Sequence, residues 1–355
     1  MSSSGSGPRP ASLRPWINRI SHIVVNVSDL ERAREFWERH TPMRVFGRTR
    51  SPVQSFPALG IDRGQFTGYL LRDASDGGVV TPTQNSHNPN YCAVHLVQWL
   101  TPEPVGRPYD RASQIGWYRL AFRSERPTRV VYDELVAAGV QPFSPPAEDV
   151  TAIAFPDPDG IVLEFVDRRP GAAPASVDRL AHLASSSKDV NETIRFYRDL
   201  VGVDHTASVS GPPVTNTFDA YGGKAGYDAA FFAARGDPRL FLDRLSWTGG
   251  PENSGIPYES GLHLGFQRLA LEVDDIDAAY ATLVEQAAQF PGVRVSGPPE
   301  EWDFGPDFGG TRRVVVFTDP DGVGHELISA IPYSLALPLP RPLSMPEVVV
   351  PGVRE

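Results

Sequence analysis

Apolar and polar positions along the chain fall into a repeating order of strand-like and helix-like stretches. ISHIVVNV (20–27) alternates apolar with small or polar residues, as a half-buried strand does. Ser28-Asp29 then supplies a helix N-cap, and LERAREFWERH places its apolar residues at helical spacing. Further on, WYRLAF (117–122) reads as a strand and PTRVVYDELVAAG (127–139) as a helix closed by Gly139. TAIAFPDPDGIVLEFVD (151–167) reads as a hairpin around a Pro-Asp-Gly turn.

The same order is written twice. SHIVVNVSDLERAREFW (21–37) returns as AHLASSSKDVNETIRFY (181–197), and RPYDRASQIGWYRLAF (107–122) as IPYESGLHLGFQRLAL (256–271). FPDPDGIVLEFVD (155–167) returns as FTDPDGVGHELIS (317–329), and Trp99 in VHLVQW corresponds to Trp247 in LDRLSW. Four ordered matches at a spacing of about 150–160 residues mark a tandem duplication. Its seam lies in the Pro/Ala-rich RRPGAAPAS, 168–176. Each half contains two smaller units of one strand, one helix and three further strands. The expected fold is therefore α+β, with four βαβββ modules, curved and mostly antiparallel sheets, and helices outside. The expected organisation is a flexible leader (1–16), a first domain (17–168), a linker (169–176), a second domain (177–332) and a Pro-rich tail (333–355).

Composition narrows the function classes. At 355 residues, 41% hydrophobic, the chain has apolar material for about two domains. A net charge of -10, without any run of five Lys or Arg, lacks the footprint of a phosphate-backbone binder, so nucleic acid is not an expected partner. No apolar run approaches the roughly 18–20 residues that span a bilayer, and MSSSGSGPRPASLRP has no apolar signal-peptide core. Cys92 is the only cysteine, which excludes an internal disulfide and a thiolate zinc cage and fits a reducing cytoplasm. Neither a GxGxxG or Walker loop nor a GxSxG elbow occurs. The expectation is a cytoplasmic protein that handles a small molecule, away from membranes. A monomer is expected if the duplication replaces an intermolecular pairing, and a homodimer if the tail packs across a partner.

The motifs resemble the vicinal oxygen chelate superfamily: a strand with His, an acidic cap, an FW or FY helix, a later Gly-x-x-Arg-Leu-Ala strand, and a DPDG hairpin ending in Glu. That group includes glyoxalase I, extradiol dioxygenases, methylmalonyl-CoA epimerase and the bleomycin and fosfomycin resistance proteins. The resemblance covers residues 17–168 and 177–330 and implies two glyoxalase-like domains with cupped sheets, each cup able to hold a divalent metal. Carried over position by position, it implies a first-choice metal set of His22, His95 and Glu164 in the first half. The second choice is His182, Asp243 and Glu326 in the second half. Arg119 and Arg268 stand where the family usually has His or Gln. They are expected to act as anion-stabilising catalytic neighbours, because arginine stays protonated and cannot coordinate.

Two imidazoles and a carboxylate are the kit of a non-haem Fe(II) site, which Mn, Co, Ni or Zn also accept. The His/Asp/Glu set is harder and leans to Mn or Mg. The expected function is thus a metal-dependent enzyme, leaning to a dioxygenase-like oxygenase on a vicinally oxygenated or phenolic compound. One alternative is a non-redox isomerase, epimerase or lyase. Another is a metal-free binding or resistance protein, whose signs would be tight Arg119–Glu164 and Arg268–Glu326 pairs. Trp117 and His263 are candidate substrate-binding residues; with Arg119 facing inward, strand alternation puts Trp117 inward and Tyr118 outward. His325 is read as a surface residue, His87 as part of a polar loop, and EEWDFGPDFGGTRR (300–313) as either a lid or a long hairpin loop.

Overall fold

The computed structural model describes residues 12–73, 92–109, 111–143, 152–167, 178–214, 225–234, 237–248, 255, 257–258 and 260–330. The expected linker, the Pro-rich tail and His87 lie outside these residues. Within them each of the four modules has its first strand and helix, followed by four further strands in module one, two in module two and three in modules three and four. Module one is β1 (Ile17–Asn26), α1 (Leu30–His40), β2 (Met43–Arg50), β3 (Gln54–Phe56), β4 (Ile61–Asp73) and β5 (Ala93–Thr101). Module two is β6 (Gly116–Ser124), α2 (Thr128–Ala137), β7 (Ala152–Pro156) and β8 (Val162–Asp167). Module three is β9 (Arg179–Ser186), α3 (Val190–Arg195), β10 (Asp204–Val214), β11 (Ala225–Ala234) and β12 (Asp237–Thr248). Module four is β13 (Gly265–Val273), α4 (Ile276–Ala287), β14 (Glu300–Asp303), β15 (Thr311–Thr318) and β16 (Gly324–Ser329).

Local chemistry accounts for the helices. Asp29, Asp189 and Asp275 each cap a helix by accepting a main-chain N–H of the first turn. Leu30, Ala33 and Trp37 then form the buried stripe of α1, which ends where the Thr41 hydroxyl donates to the Trp37 carbonyl at 2.6 Å.

The two sheets do not correspond to the two halves. Among the described residues, one sheet runs β14-β15-β16-β13-β1-β5-β4-β2, with β3 on β4, and joins module one to module four. The other runs β10-β11-β12-β9-β6-β8-β7 and joins module three to module two. We call their concave faces the terminal and central cups. The exchange is specified by contacts between first strands. Arg19 on β1 pairs with Glu272 on β13 at 2.7 Å, and Asn18 donates to Asp274 at 2.7 Å. In the other sheet Asp178, just before β9, accepts from the Glu125 main chain and pairs with Arg126 beyond β6. The intermodule linkers lie side by side: Leu264 N donates to Val105 O at 2.9 Å, and the Tyr109 and Tyr258 rings stand 4.1 Å apart.

A continuous apolar core fills the convex side of both sheets, from Trp37 and Ile23 through Leu120 and Phe165 to Leu271 and Phe196. It includes Leu13, whose N–H donates to Leu200 O at 2.8 Å, while Arg14 pairs with Asp204. Leu13 and Arg14 thus dock on module three, and Trp16 on module four, where its Nε1 donates to Thr282 Oγ1 at 3.1 Å; this part of the expected leader of 1–16 is packed, because Leu13 gains apolar burial and a main-chain hydrogen bond. Among the described residues, no helix is long and apolar enough to cross a membrane.

Candidate functional site

In the terminal cup, β1, β13 and β16 lie side by side, with His22, Ala270 and Glu326 in one row. Alanine in the middle leaves room for the outer two side chains to meet over it. His22 Nε2 lies 3.6 Å from Glu326 Oε1, both are buried, and neither atom has a hydrogen-bond partner. Arg268, two residues before Ala270 on β13 and so on the same face, binds the other Glu326 oxygen through Nε. His95 comes from β5, its ring 5.4 Å from that of His22, and its Nε2 pairs with the Thr49 hydroxyl at 2.9 Å.

The central cup repeats this plan. His182 on β9, Ala121 on β6 and Glu164 on β8 share a row, and His182 Nε2 lies 3.4 Å from Glu164 Oε2 and 3.6 Å from Asp243 Oδ2. Arg119 Nη1 donates to Glu164 Oε1 at 3.0 Å.

The expected ligand sets are therefore regrouped. His22 and His95 converge with Glu326, not Glu164; Glu164 faces His182 and Asp243. The reason is the exchange of modules, which sets the closing strand of each half into the cup opened by the other half. The donor kits survive the exchange, because the two closing strands both carry glutamate.

Electrostatics suit the imidazoles to a ligand role. Burial, followed by the positive charges of Arg268 and Arg19, lowers the His22 pKa to about 3. Burial also holds His95 well below its ordinary value, with His22 and Arg268 adding to the effect. Both are neutral at pH 7, the form that coordinates metals. Burial raises the Glu164 pKa, but the adjacent Arg119 and the nearby His182 ring outweigh it and hold the carboxyl below its usual range.

The fit to a divalent metal is one of donor chemistry. His22 Nε2 and Glu326 Oε1 are orphaned buried donors aimed at each other, and His95 supplies a third donor beside them. Among the described residues, no three His, Cys, Asp or Glu side chains stand grouped to hold an ion as they are. In the terminal cup, Thr49 engages His95 and Arg268 engages half of Glu326.

Three further expectations are corrected. A β-bulge between Trp117 and Arg119 in the pairing with β9 breaks strict alternation. Tyr118 thus joins Arg119 on the cup side, and Trp117 turns to the back, where Nε1 donates to Gly324 O at 3.2 Å. Trp117 is not a cup wall. His263 lies on the linker, its ring stacked on Tyr258 at 3.9 Å and packed over Gly106. Only its carbonyl, which accepts from Asn26, reaches the rim of the terminal cup. His325 is buried rather than exposed, because the face of β16 opposite Glu326 meets the core. Its Nε2 pairs with Tyr197 OH at 2.7 Å and its Nδ1 with Val323 O.

Sequence reasoning missed Thr49 and, apart from the lid candidate that holds Trp302 and Phe304, the aromatic wall of the terminal cup. Phe56, Phe66, Trp99, Trp302 and Phe304 close around His95 and Arg268, leaving a cavity of about 10 Å³, room for about one water. Trp99 was visible only as a repeat marker. The wall comes from four strands and the loop after β14; Trp302 and Phe304 fall in EEWDFGPDFGGTRR, read as a lid or a hairpin loop, but no local pattern joins them to the other three.

A family profile described as Glyoxalase/Bleomycin resistance protein/Dioxygenase superfamily matches residues 19–165 and 179–327. No curated protein matches the chain. Among solved structures, glyoxalase I from Zea mays is 17% identical with a TM-score of 0.59, covering 88% of this chain and 92% of that one. A mutant of the same maize enzyme gives 15% and 0.59, covering 90% and 96%. A protein described as a putative dioxygenase from Bacillus subtilis gives 11% and 0.50, covering 89% and 86%. At these identities the likeness is one of fold.

Proposed function

We propose, from the premise that this chain belongs to the Glyoxalase/Bleomycin resistance protein/Dioxygenase superfamily, that it is a metal-dependent enzyme whose working site is the terminal cup. The observation that carries this reading is the facing pair His22 Nε2 and Glu326 Oε1, both buried and without hydrogen-bond partners. Leaving such atoms unpartnered costs about 1–3 kcal/mol each, a cost that a bound cation or water removes. His22, His95 and Glu326 would hold the ion, and the two-imidazole, one-carboxylate kit favours Fe(II) and oxygenase chemistry over Mn, Zn or Ni. When bound, the metal would act as a Lewis acid toward two vicinal oxygens of a small substrate. The chain's own residues do the rest. Arg268 sets a buried positive charge beside the reacting oxygens, and the aromatic wall excludes water and packs a flat substrate body. The proposed reaction is an oxygenation rather than an isomerisation, an epimerisation or a lyase step, and the proposed compartment is the cytoplasm.

A second reading has its own supporting observation. In both cups the arginine is bound to the cup glutamate, as a metal-free small-molecule-binding protein would arrange it. Elemental analysis of protein purified anaerobically separates the two. Near-stoichiometric iron in the wild type, retained in His182→Ala and lost in His22→Ala, is the expected result. Manganese, zinc or nickel at the same site moves the reaction to the non-redox class. No metal after reconstitution in any of the three proteins ends the metalloenzyme reading in favour of the binding protein.

A further inference from the structure

We propose that the terminal cup is a gated site, closed by two matching turns that are latched across its mouth by the Gln54 side chain; this rests on the reading that the cup receives a ligand. The turns occupy the same place in modules one and four. Pro57–Leu59 lies between β3 and β4, and Pro306–Phe308 between β14 and β15. Each begins with proline and is closed by a left-handed glycine, Gly60 at φ 69° and Gly309 at φ 82°. Each is preceded by aromatic residues that fill the cup, Phe56 on one side and Trp302 and Phe304 on the other. The Phe56 and Trp302 rings meet edge to face at 5.3 Å.

The two sides are held together by few bonds. Gln54 Nε2 donates to Asp303 O at 2.8 Å, and Asp303 N donates to Gln54 Oε1 at 3.0 Å. A carboxamide offers the same donor and acceptor as a peptide group, so this side chain substitutes for one rung of a ladder. Among the described residues, the remaining main-chain bond across the seam is Arg50 N to Phe304 O at 2.9 Å. Gly305 permits that approach: it has φ 85°, and a Cβ there would lie 2.4 Å from Arg50 O. Arg312, buried behind the second turn, donates to Phe308 O and holds that turn to its own module.

With the latch made, the cavity of about 10 Å³ admits about one water. A cavity of that size holds no organic ligand, so the wall must move to admit one; parting the turns would break two side-chain hydrogen bonds, one main-chain hydrogen bond and the Phe56–Trp302 ring contact. A seam held this way opens more readily than a continued sheet, where every residue contributes to the ladder.

The test uses amide hydrogen exchange and acrylamide quenching of tryptophan fluorescence in wild type, Gln54→Ala and Gln54→Met. The methionine variant keeps side-chain bulk without the hydrogen bonds, so the two together separate latch loss from packing loss. The Arg50 amide is the reporter, since its own partner, Phe304 O, is untouched by either substitution. About tenfold faster exchange at Arg50 is expected in both variants, together with greater quenching of the cup tryptophans and unchanged exchange at Ile23 in β1. Loading of metal-free protein with Co(II), followed by absorbance, is expected to be faster with the same end point. Unchanged Arg50 exchange and unchanged quenching in both variants overturn the gate. If Co(II) binds to none of the proteins, the metal reading fails while exchange and quenching still decide the gate.

Discussion

Replacing Arg244 with alanine is expected to destabilise the protein by about 3–5 kcal/mol, as breaking a buried ion pair from one side does. Arg244 on β12 is fully buried between the sheets, its guanidinium 5.1 Å from the Trp117 ring centre and 5.2 Å from that of Tyr197. It binds one carboxylate oxygen of Asp319, whose other oxygen accepts from Asp321 N and Val323 N in the DPDG turn. Alanine would strand that carboxylate in the core and open a cavity beside two aromatic rings. The matching turn in the first half shows what the fold tolerates. Asp157 accepts from Asp159 N and Ile161 N in the same way, but its second oxygen takes Trp37 Nε1, and Leu96 stands where the second half has Arg244. The double variant Arg244→Leu with Asp319→Asn is accordingly expected to recover most of the loss. Urea unfolding of the wild type, the single and the double variant measures both effects. A single variant within 1 kcal/mol of wild type would show that the pair does not hold the sheets together.

Acid is expected to unfold the metal-free protein through three buried histidines. His22 and His325 have pKa values lowered to about 3, and His95 is held well below its ordinary value, in each case chiefly by burial. Above pH 6.5 all three are neutral in both folded and unfolded chains and contribute no pH dependence. Below it the unfolded chain binds protons that the native one refuses. Stability is thus lost as pH falls from 6.5 toward 3, at about 1.4 kcal/mol per pH unit for each histidine. Two buried carboxyls oppose this. Burial raises Asp157 to about 6 and also raises Asp319, so the native state takes up those protons first on the acid side. The net slope between about pH 6 and 4 is therefore about one to two protons, or about 1.4–2.8 kcal/mol per unit, which removes about 3–6 kcal/mol over that range, a large part of an ordinary stability. Urea midpoints from pH 7.5 to 4.5 test it, and His325→Leu, which installs the residue that Leu163 supplies in the first half, should lower the slope by about one proton. A flat profile would mean that these histidines are protonated in the native state.

Much of the fold was legible because it is local. Asp29 and Asp189 announce their helices through a short-range main-chain bond, and the alternation of ISHIVVNV needs only the pleat of a strand. The DPDG turns and the repeated Arg-Leu-Ala strands identified the superfamily and the residue types of both cups. The side of the sheet on which Trp117 falls was not legible, since a one-residue bulge reverses the alternation without changing composition. Nor was the burial of His325, because a strand face turned away from a cup meets solvent in an open sheet and core in this one.

The sequence by itself determined the module and its fourfold repetition, since caps, turns and strand alternation are local, and its resemblance to the superfamily pointed to the eight residues that line the two cups. The partnership of modules was decided only in the tertiary structure. Four like modules have one hydrophobic pattern whether they pair within halves or across them. The choice rests on specific contacts between distant first strands, such as Arg19 with Glu272 and Asn18 with Asp274. Through that choice Glu326 rather than Glu164 comes to face His22, and the aromatic wall closes over Arg268.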